Sequence, residues 1–433
     1  MKKVLIITYY WPPSGGAGVQ RWLKFVKYLR EFNWEPVVYT AENGEIPSVD
    51  HSLAKDIPLG ITVLKQPVWE PYDLYKRFTG VKKEEKVNAG FLSETEKPKL
   101  AQKVAVWIRG NFFIPDARRF WIKPSVKYLK DYLKENPVDA IVSTGPPHSM
   151  HLIALELKKH SNLPWLADFR DPWTNIDYYD QLMLSKMADM KHKSLEKKVI
   201  ETADVLVTVG TTMKEEFLAL GASEVEVITN GFDEEDLQQS EITLDEKFSL
   251  AHIGSLVSTR NPESLWRVLK SLISKSDEFK NDLEIKLVGK VDFEAINSLK
   301  KYNLYSYLNK KEYVPHDDVI KIQQESQVLL LLLNNTRNVK GILTGKFFEY
   351  LASKRPILCI GPKDSEVAEI LIQTQAGEIA GFEDETKLEE IILDYYQKYK
   401  QKNLFSSSTG IEKYSRKNLT FELSTVLNNI SRT

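Results

Sequence analysis

The stretch "LTGKFFEYLASKRPILCI", Leu343 to Ile360, holds a helix and the start of a strand with almost no connecting loop. Thr344 or Gly345 stands where the helix begins, and Pro356 opens the apolar run that follows. Phe347, Tyr350 and Leu351 fall on one helical face, while Lys346 and Glu349 lie one turn apart away from it. Two readings fit this pair. In one, it is an exposed ion pair worth a few tenths of a kcal/mol. In the other, the free N–H groups of the helix N-terminus hold a diphosphate, Lys346 supplies the countercharge, and the Glu349 carboxylate accepts from two vicinal ribose hydroxyls.

The same alternation extends along the whole chain. Val4–Thr8, Pro36–Thr40, Ala140–Thr144, Trp165–Phe169, Val205–Val209 and Val225–Thr229 are short β-rich runs, with amphipathic stretches such as Gln20–Phe32 and His148–Lys159 between them. A second series begins with Leu250–Ile253 and continues through Glu284–Val288, Val328–Leu333 and Pro356–Ile360. Leu265, Val268, Leu269, Leu272 and Ile273 follow at helical spacing. The pattern predicts an α/β protein of two doubly wound, Rossmann-like domains, joined through the polar stretch Asp233–Lys247. An aromatic and basic segment at about residues 70–130 interrupts the first domain as an insertion. Ligands of such sheets collect outside the carboxyl ends of the strands, so two facing domains predict a cleft fed by loops from both.

Composition narrows the class of function. The 433 residues are too many for one ordinary core, and 42% hydrophobic with 27% charged residues describes a globular chain. A net charge of −1 argues against a nucleic-acid binder held by bulk positive charge. The single cysteine, Cys359, excludes an intrachain disulfide and suits a reducing cytoplasm. The N-terminal apolar run is too short for a leader and reads as a strand, and the longest apolar run, Val328 to Leu333, is far below the ~20 residues of a membrane span.

Four further stretches carry candidate chemistry. "ITYYWPPSGGAGVQRWLKFV", from Ile7, places Gly15, Gly16 and Gly18 between a strand and a helix, a bare corner that suits a phosphate or sugar pressed against backbone. It is not the dinucleotide fingerprint, because Arg21 stands where glycine or alanine is required. "PWLADFRDPW", from Pro164, gathers Asp168, Arg170 and Asp171 at a strand end. They form either a local ion-pair cap or a site in which an aspartate takes a proton from an attacking hydroxyl. "STGPPHSMH", from Ser143, puts Ser143 and His148 at another strand end; no third ligand accompanies His148 and His151, so no metal site is expected. "ARRFWIKPSVKYLKDYLK", from Ala117, mixes basic and aromatic residues over 117–123, as an ordinary helix or a membrane-surface segment would.

The Leu343–Ile360 stretch resembles the donor motif of GT-B glycosyltransferases, particularly retaining family-four enzymes, in Lys346, Glu349, Tyr350, Ala352 and Pro356. "TNGFD" at Thr229–Asp233 and "AHIGSLVSTRNPESL" at Ala251–Leu265 are similar to further segments of that family, in the expected order. The resemblance implies an acceptor-binding domain at 1–240, with a C-terminal helix at 410–433 packing back on it, and a nucleotide-sugar domain at 246–405. It implies transfer of a sugar from a nucleoside diphosphate to an acceptor hydroxyl, in bacterial surface polysaccharide or lipopolysaccharide synthesis. Donor-binding roles fall on Gly15, Gly16, Gly254, Ser255, Arg260, Thr344, Lys346 and Glu349, catalytic roles on Asp168, Arg170 and Asp171, and the acceptor side on Ser143 and His148. Gly341 stands where the family carries a first glutamate, and Ser255 where it carries an arginine, which leaves diphosphate charge to Arg260 and Lys346. Arg170 stands where the family places a histidine. No Asp-x-Asp occurs, so neither a metal nor any other cofactor is expected. The implied partners are a nucleotide sugar and a sugar or lipid-linked sugar acceptor, met in the cytoplasm or at the inner membrane face through 117–123, with no nucleic acid. A sugar-nucleotide epimerase and a non-catalytic nucleotide-sugar-binding subunit are the alternatives.

Overall fold

The computed structural model describes residues 1–432 apart from 47, 71–99, 238–241 and 313. Lys2–Ile7 (β1), Trp34–Ala41 (β2), Thr62–Gln66 (β3), Ala140–Gly145 (β4), Trp165–Phe169 (β5), Val205–Thr208 (β6) and Val225–Val227 (β7) form one sheet, in the order β3-β2-β1-β4-β5-β6-β7. Phe248–Ile253 (β8), Leu283–Val288 (β9), Leu308–Lys311 (β10), Val328–Leu332 (β11), Ile357–Ile360 (β12) and Gly377–Ala380 (β13) form the other, in the order β10-β9-β8-β11-β12-β13. Every pairing is parallel, with registers such as Ile7↔Ser143 and Leu329↔Ala251.

Continuous apolar runs are required because both faces of each sheet are covered. In β11, Leu330 and Leu332 enter the same core as Phe248, Leu250, Leu358 and Ile360. Their neighbours Leu329 and Leu331 enter a separate core with Ala251, Ile253, Ile357 and Cys359. Side chains that alternate direction therefore feed two cores from one strand. Truncating Leu330 to alanine would leave a cavity costing about 2–5 kcal/mol. The strands that apolarity did not mark in sequence, β3, β10 and β13, are edge strands whose residues are largely exposed or half-buried.

Among the described residues, one compact unit comprises segments of Met1–Ala89 and Pro98–Thr229 with Arg416–Thr433, and the other comprises Asn230–Ser415. The C-terminal helix, Arg416–Ile430, buries Leu419, Leu423, Leu427 and Ile430 in the core that holds Val19, Trp22, Leu23 and Val26. Lys2 Nζ fastens its end by donating to Ser431 Oγ at 2.7 Å.

Two boundaries differ from the sequence reading. The inserted segment does not reach 130: Ile122–Glu135 is a regular helix whose Leu129 sits in the same core as Trp121 and Tyr39. Its portion at 71–99 lies outside the described residues. The stretch Asp233–Lys247 is not simply a polar connection, because Asp245 pairs with Lys286, whose ammonium is withdrawn from water on β9. Residues 238–241 of it lie outside the described set.

Candidate functional site

Strand order reverses between β8 and β11 in the second unit, so loops leaving their carboxyl ends diverge and open a crevice. Gly254 follows β8 with φ +112°, and its N–H donates to the Val288 carbonyl at 2.8 Å. A side chain here would be strained, and its Cβ would come within 3.5 Å of Lys346 Nζ. Gly289 closes the same turn from beneath, since a Cβ on it would meet the Gly254 carbonyl oxygen at 2.9 Å.

Lys346 lies in the first turn of the helix Gly345–Ala352, which Thr344 precedes in extended conformation. Its ammonium stands 3.3 Å from the Ile253 carbonyl and 3.4 Å from His252 Nε2. His252 Nδ1 lies 3.1 Å from the Leu330 carbonyl, which can only accept. The ring proton is therefore on Nδ1, and Nε2 offers a lone pair to the ammonium. Burial and the nearby Lys346 hold this histidine neutral, well below its ordinary pKa. Lys346 forms no ion pair with a carboxylate among the described residues. Desolvation, then repulsion from Arg260, push its pKa down to about 7, with Glu349 opposing the shift. Thr344 does not cap the helix, and its buried Oγ1 has no partner among the described residues. The space beside Gly345 is open.

Arg260 is steered by Asn334 at the end of β11, whose Oδ1 accepts from its Nε at 2.5 Å, and by the carbonyl of exposed Ser255 at 3.4 Å. Glu349 is half-buried. Gln323 donates to its Oε2 at 3.0 Å, and among the described residues its Oε1 has no partner. The structure thus brings Gly254, Arg260, Thr344, Lys346 and Glu349 to one region and leaves Ser255 there only through its carbonyl. His252, Gln323 and Asn334 were not singled out in sequence. His252 sits directly before the Ile253–Gly254 turn, the one available signal for it.

The first unit contains a cavity of about 280 Å³ lined by the basic residues Arg109, Arg118 and Arg170 and the carboxylates Glu45, Asp116 and Asp171. Tyr10, Phe113, Trp173, Tyr178 and Tyr179 give it aromatic walls. His148 lines it too, stacked on Trp173 at 4.6 Å, with its buried Nδ1 unpartnered among the described residues. Trp173 Nε1 donates to His192 Nδ1 at 3.1 Å, which fixes the His192 proton on the buried Nε2, on the side of the Gly110 backbone.

Other candidates in this unit are placed differently from expectation. Asp168 is fully buried and cannot reach an acceptor hydroxyl. It accepts from Arg21 Nη2 at 2.9 Å, Trp22 Nε1 at 2.6 Å and Thr144 Oγ1 at 2.8 Å. Burial would raise its pKa, but Arg21 and these donors outweigh that and hold the carboxyl below the ordinary range. Ser143 is equally enclosed, between Trp165 Nε1 at 2.9 Å and His151 Nδ1 at 2.8 Å. Burial pushes the His151 pKa down to about 3, so the ring stays neutral. Gly15 is not a free donor, because its N–H goes to the Ser48 carbonyl at 2.9 Å. Gly16, at φ +96° before the helix Ala17–Leu29, is exposed with open space beside it. Arg170 reaches the cavity but donates to the carbonyls of Gly18 (2.6 Å), Gly145 (3.3 Å) and Pro146. Asp171, exposed, is the carboxylate of that stretch that faces the cavity.

The basic and aromatic segment 117–123 is divided between inside and outside. Arg118 is buried against Glu70 at 2.7 Å and over the Tyr9 ring, and Trp121 stacks on Tyr39 at 5.0 Å. Arg119, Phe120 and Lys123 point outward.

Residues 84–236 match the family model described as Glycosyltransferase Family 4. No curated protein matches the chain in sequence. Anabaena HepE in complex with UDP-glucose is 12% identical and superposes with a TM-score of 0.65 over 99% of this chain and 100% of that one. A TarM mutant of S. aureus in complex with fondaparinux, α-GlcNAc-glycerol and UDP is 12% identical, with a TM-score of 0.62 over 99% and 100%. Sucrose-phosphate synthase from Thermosynechococcus elongatus is 12% identical, with a TM-score of 0.61 over 99% of each chain. The fold is that of the GT-B glycosyltransferases, two parallel α/β domains in one chain. Within it, the segment 84–236 resembles family four.

Proposed function

We propose that this protein is a glycosyltransferase that moves a sugar from a nucleoside diphosphate to an acceptor hydroxyl, with retention and without a metal. The observation that carries the proposal is the gathering of cationic and backbone donors at the end of β8 around Lys346, which has no carboxylate partner among the described residues. Lys346 sits among neutral acceptors, Arg260 adds a second cation, and the Gly345–Ala352 helix directs its first N–H groups to the same place. A diphosphate supplies the charge this arrangement lacks. Glu349 Oε1, one turn along the helix, is suited to the ribose hydroxyls, with Gln323 holding the other oxygen.

The leaving diphosphate gains negative charge as the glycosidic bond breaks, and fixed cations and N–H dipoles stabilise it without reorganising. The acceptor lies in the cavity of the first unit, where Trp173 and the tyrosines offer flat faces for a sugar ring. Asp171 orients its hydroxyl, and His148, stacked on Trp173, supports the aromatic wall beside it. The pathway we assign is bacterial surface polysaccharide assembly. UDP, bound in the TarM complex and carried as UDP-glucose in the HepE complex, is the first nucleotide to try. Calorimetric titration with UDP, GDP and ADP tests the donor half: one should bind the wild type and bind Lys346→Ala at least about tenfold more weakly. Failure of all three to bind overturns the reading. Incubating the matching sugar nucleotide without acceptor separates transfer from epimerisation, since only an epimerase isomerises the sugar.

A further inference from the structure

β8 and β11 stop pairing with each other just before the donor site. Their ladder holds Val328↔Leu250 and Leu329↔Ala251 and then ends. Side chains meet the next backbone groups instead. Ile253 N–H donates to the Tyr350 phenol oxygen at 3.0 Å, and the Leu330 carbonyl accepts from His252 Nδ1 at 3.1 Å. Tyr350 is fully buried, and His252 is 1% exposed. A histidine is costly so deep in a strand whose other buried residues include Phe248, Leu250, Ala251 and Ile253, because a buried ring nitrogen is unfavourable unless it finds a partner. Leu330 occupies Nδ1. Nε2 stands 3.4 Å from Lys346 Nζ, and the Ile253 carbonyl takes the same ammonium at 3.3 Å.

Closing the gap between the strands accounts for only half of this ring. An asparagine amide would reach the Leu330 carbonyl as well, without the second nitrogen. That nitrogen has a task only if Lys346 must be held. A free lysine side chain carries about 2 kcal/mol of rotamer entropy, and ordering it before the ligand arrives lowers the cost of binding. Arg260 and Glu349 are the other charged groups that act on this ammonium, and Arg260 repels it. Resting on the function proposed above, we infer that His252 is a positioning residue for the donor: its Nε2 lone pair holds the Lys346 ammonium where β8 and β11 part, in place for the diphosphate. The bond to Leu330 fixes the ring and aims that lone pair, so the parting of the strands itself sets the lysine.

Three variants separate the two halves of the ring. His252→Gln puts an acceptor oxygen near the place of Nε2 and gives up Leu330. His252→Asn keeps a donor for Leu330 and gives up Lys346, and His252→Leu gives up both. In calorimetric titration with the nucleotide that binds the wild type, His252→Asn and His252→Leu should bind about fivefold or more weakly, and His252→Gln within about twofold of the wild type. A histidine that serves only the strands predicts the opposite order, with His252→Asn the best of the three. That order overturns the inference, and so does equal binding by all three, while the nucleotide site itself stands. A wild type that binds no nucleotide ends the donor assignment and this one with it. Nitrogen-15 spectra of the histidine-labelled wild type give a second measurement. The His252 ring, identified by its loss in the variants, should carry its proton on Nδ1, and its bare Nε2 should shift when nucleotide is added. A proton on Nε2, directed at the Ser255 carbonyl that also faces the ring, or an Nε2 signal indifferent to nucleotide, overturns it.

Discussion

Arg21 and Lys346 are both cations near the carboxyl end of a sheet, and the two units treat them in opposite ways. Arg21 has a carboxylate, Asp168, and two carbonyls, those of Ile228 and Thr229, so every side of its guanidinium is met. Lys346 has one carbonyl and one neutral histidine nitrogen, with a second cation, Arg260, close enough to lower its pKa. The first arrangement is complete as it stands. The second acquires its balance only from an anion. Both residues look alike as letters in sequence, and what separates structure from function is whether the fold itself supplies the opposite charge.

The largest expected effect belongs to the complete pair. Asp168→Ala leaves Arg21 buried without its carboxylate and should cost about 3–5 kcal/mol in chemical denaturation. A loss below about 1 kcal/mol would erase the contrast. Lys346→Met should do the reverse, leaving the ligand-free protein as stable as the wild type or more so, while nucleotide affinity falls by about ten- to a hundredfold. A large loss of stability in this variant would place Lys346 with Arg21 as a structural cation.

Acidity sharpens the difference further. The Lys346 pKa falls from an ordinary 10.5 to about 7 on folding, so between these values the unfolded chain binds the extra proton. Unfolding free energy should therefore rise with pH across that window, with the penalty complete below it. Comparing wild type with Lys346→Met from pH 7 to 9 checks this: the variant should lack the rise. A smaller effect is expected at Glu349. Glu349→Gln keeps shape and the contact to Gln323 but removes charge, and should weaken nucleotide binding by about fivefold, or roughly 1 kcal/mol. An unchanged affinity would take Glu349 out of the ribose position.

What the sequence disclosed follows from range. Lys346 and Glu349 were legible because three residues along a helix is a local distance. The central strands β11 and β12 beside the site were legible because both faces are buried and each run is uniformly apolar. Asp168 misled because its partner Arg21 lies 147 positions away, and nothing near "LADFRD" announces a counter-ion. Gly15 misled for the same reason, with Ser48 reaching back to take its N–H. Gln323 and Asn334 carry no local signal, since their task is to steer other side chains. Arg118 and Trp121 sit in a stretch that composition marks as surface, yet both are buried against Glu70 and Tyr39.

The account depends on an anion completing the charge at Lys346. Titrating UDP, or whichever nucleotide binds, at pH 8 in buffers of different ionisation enthalpy counts the protons exchanged. Lys346 is largely neutral in the free protein at that pH, so binding should draw in close to one proton per site, and Lys346→Met should draw in none. Binding without proton uptake in the wild type, or equal uptake in the variant, would contradict it.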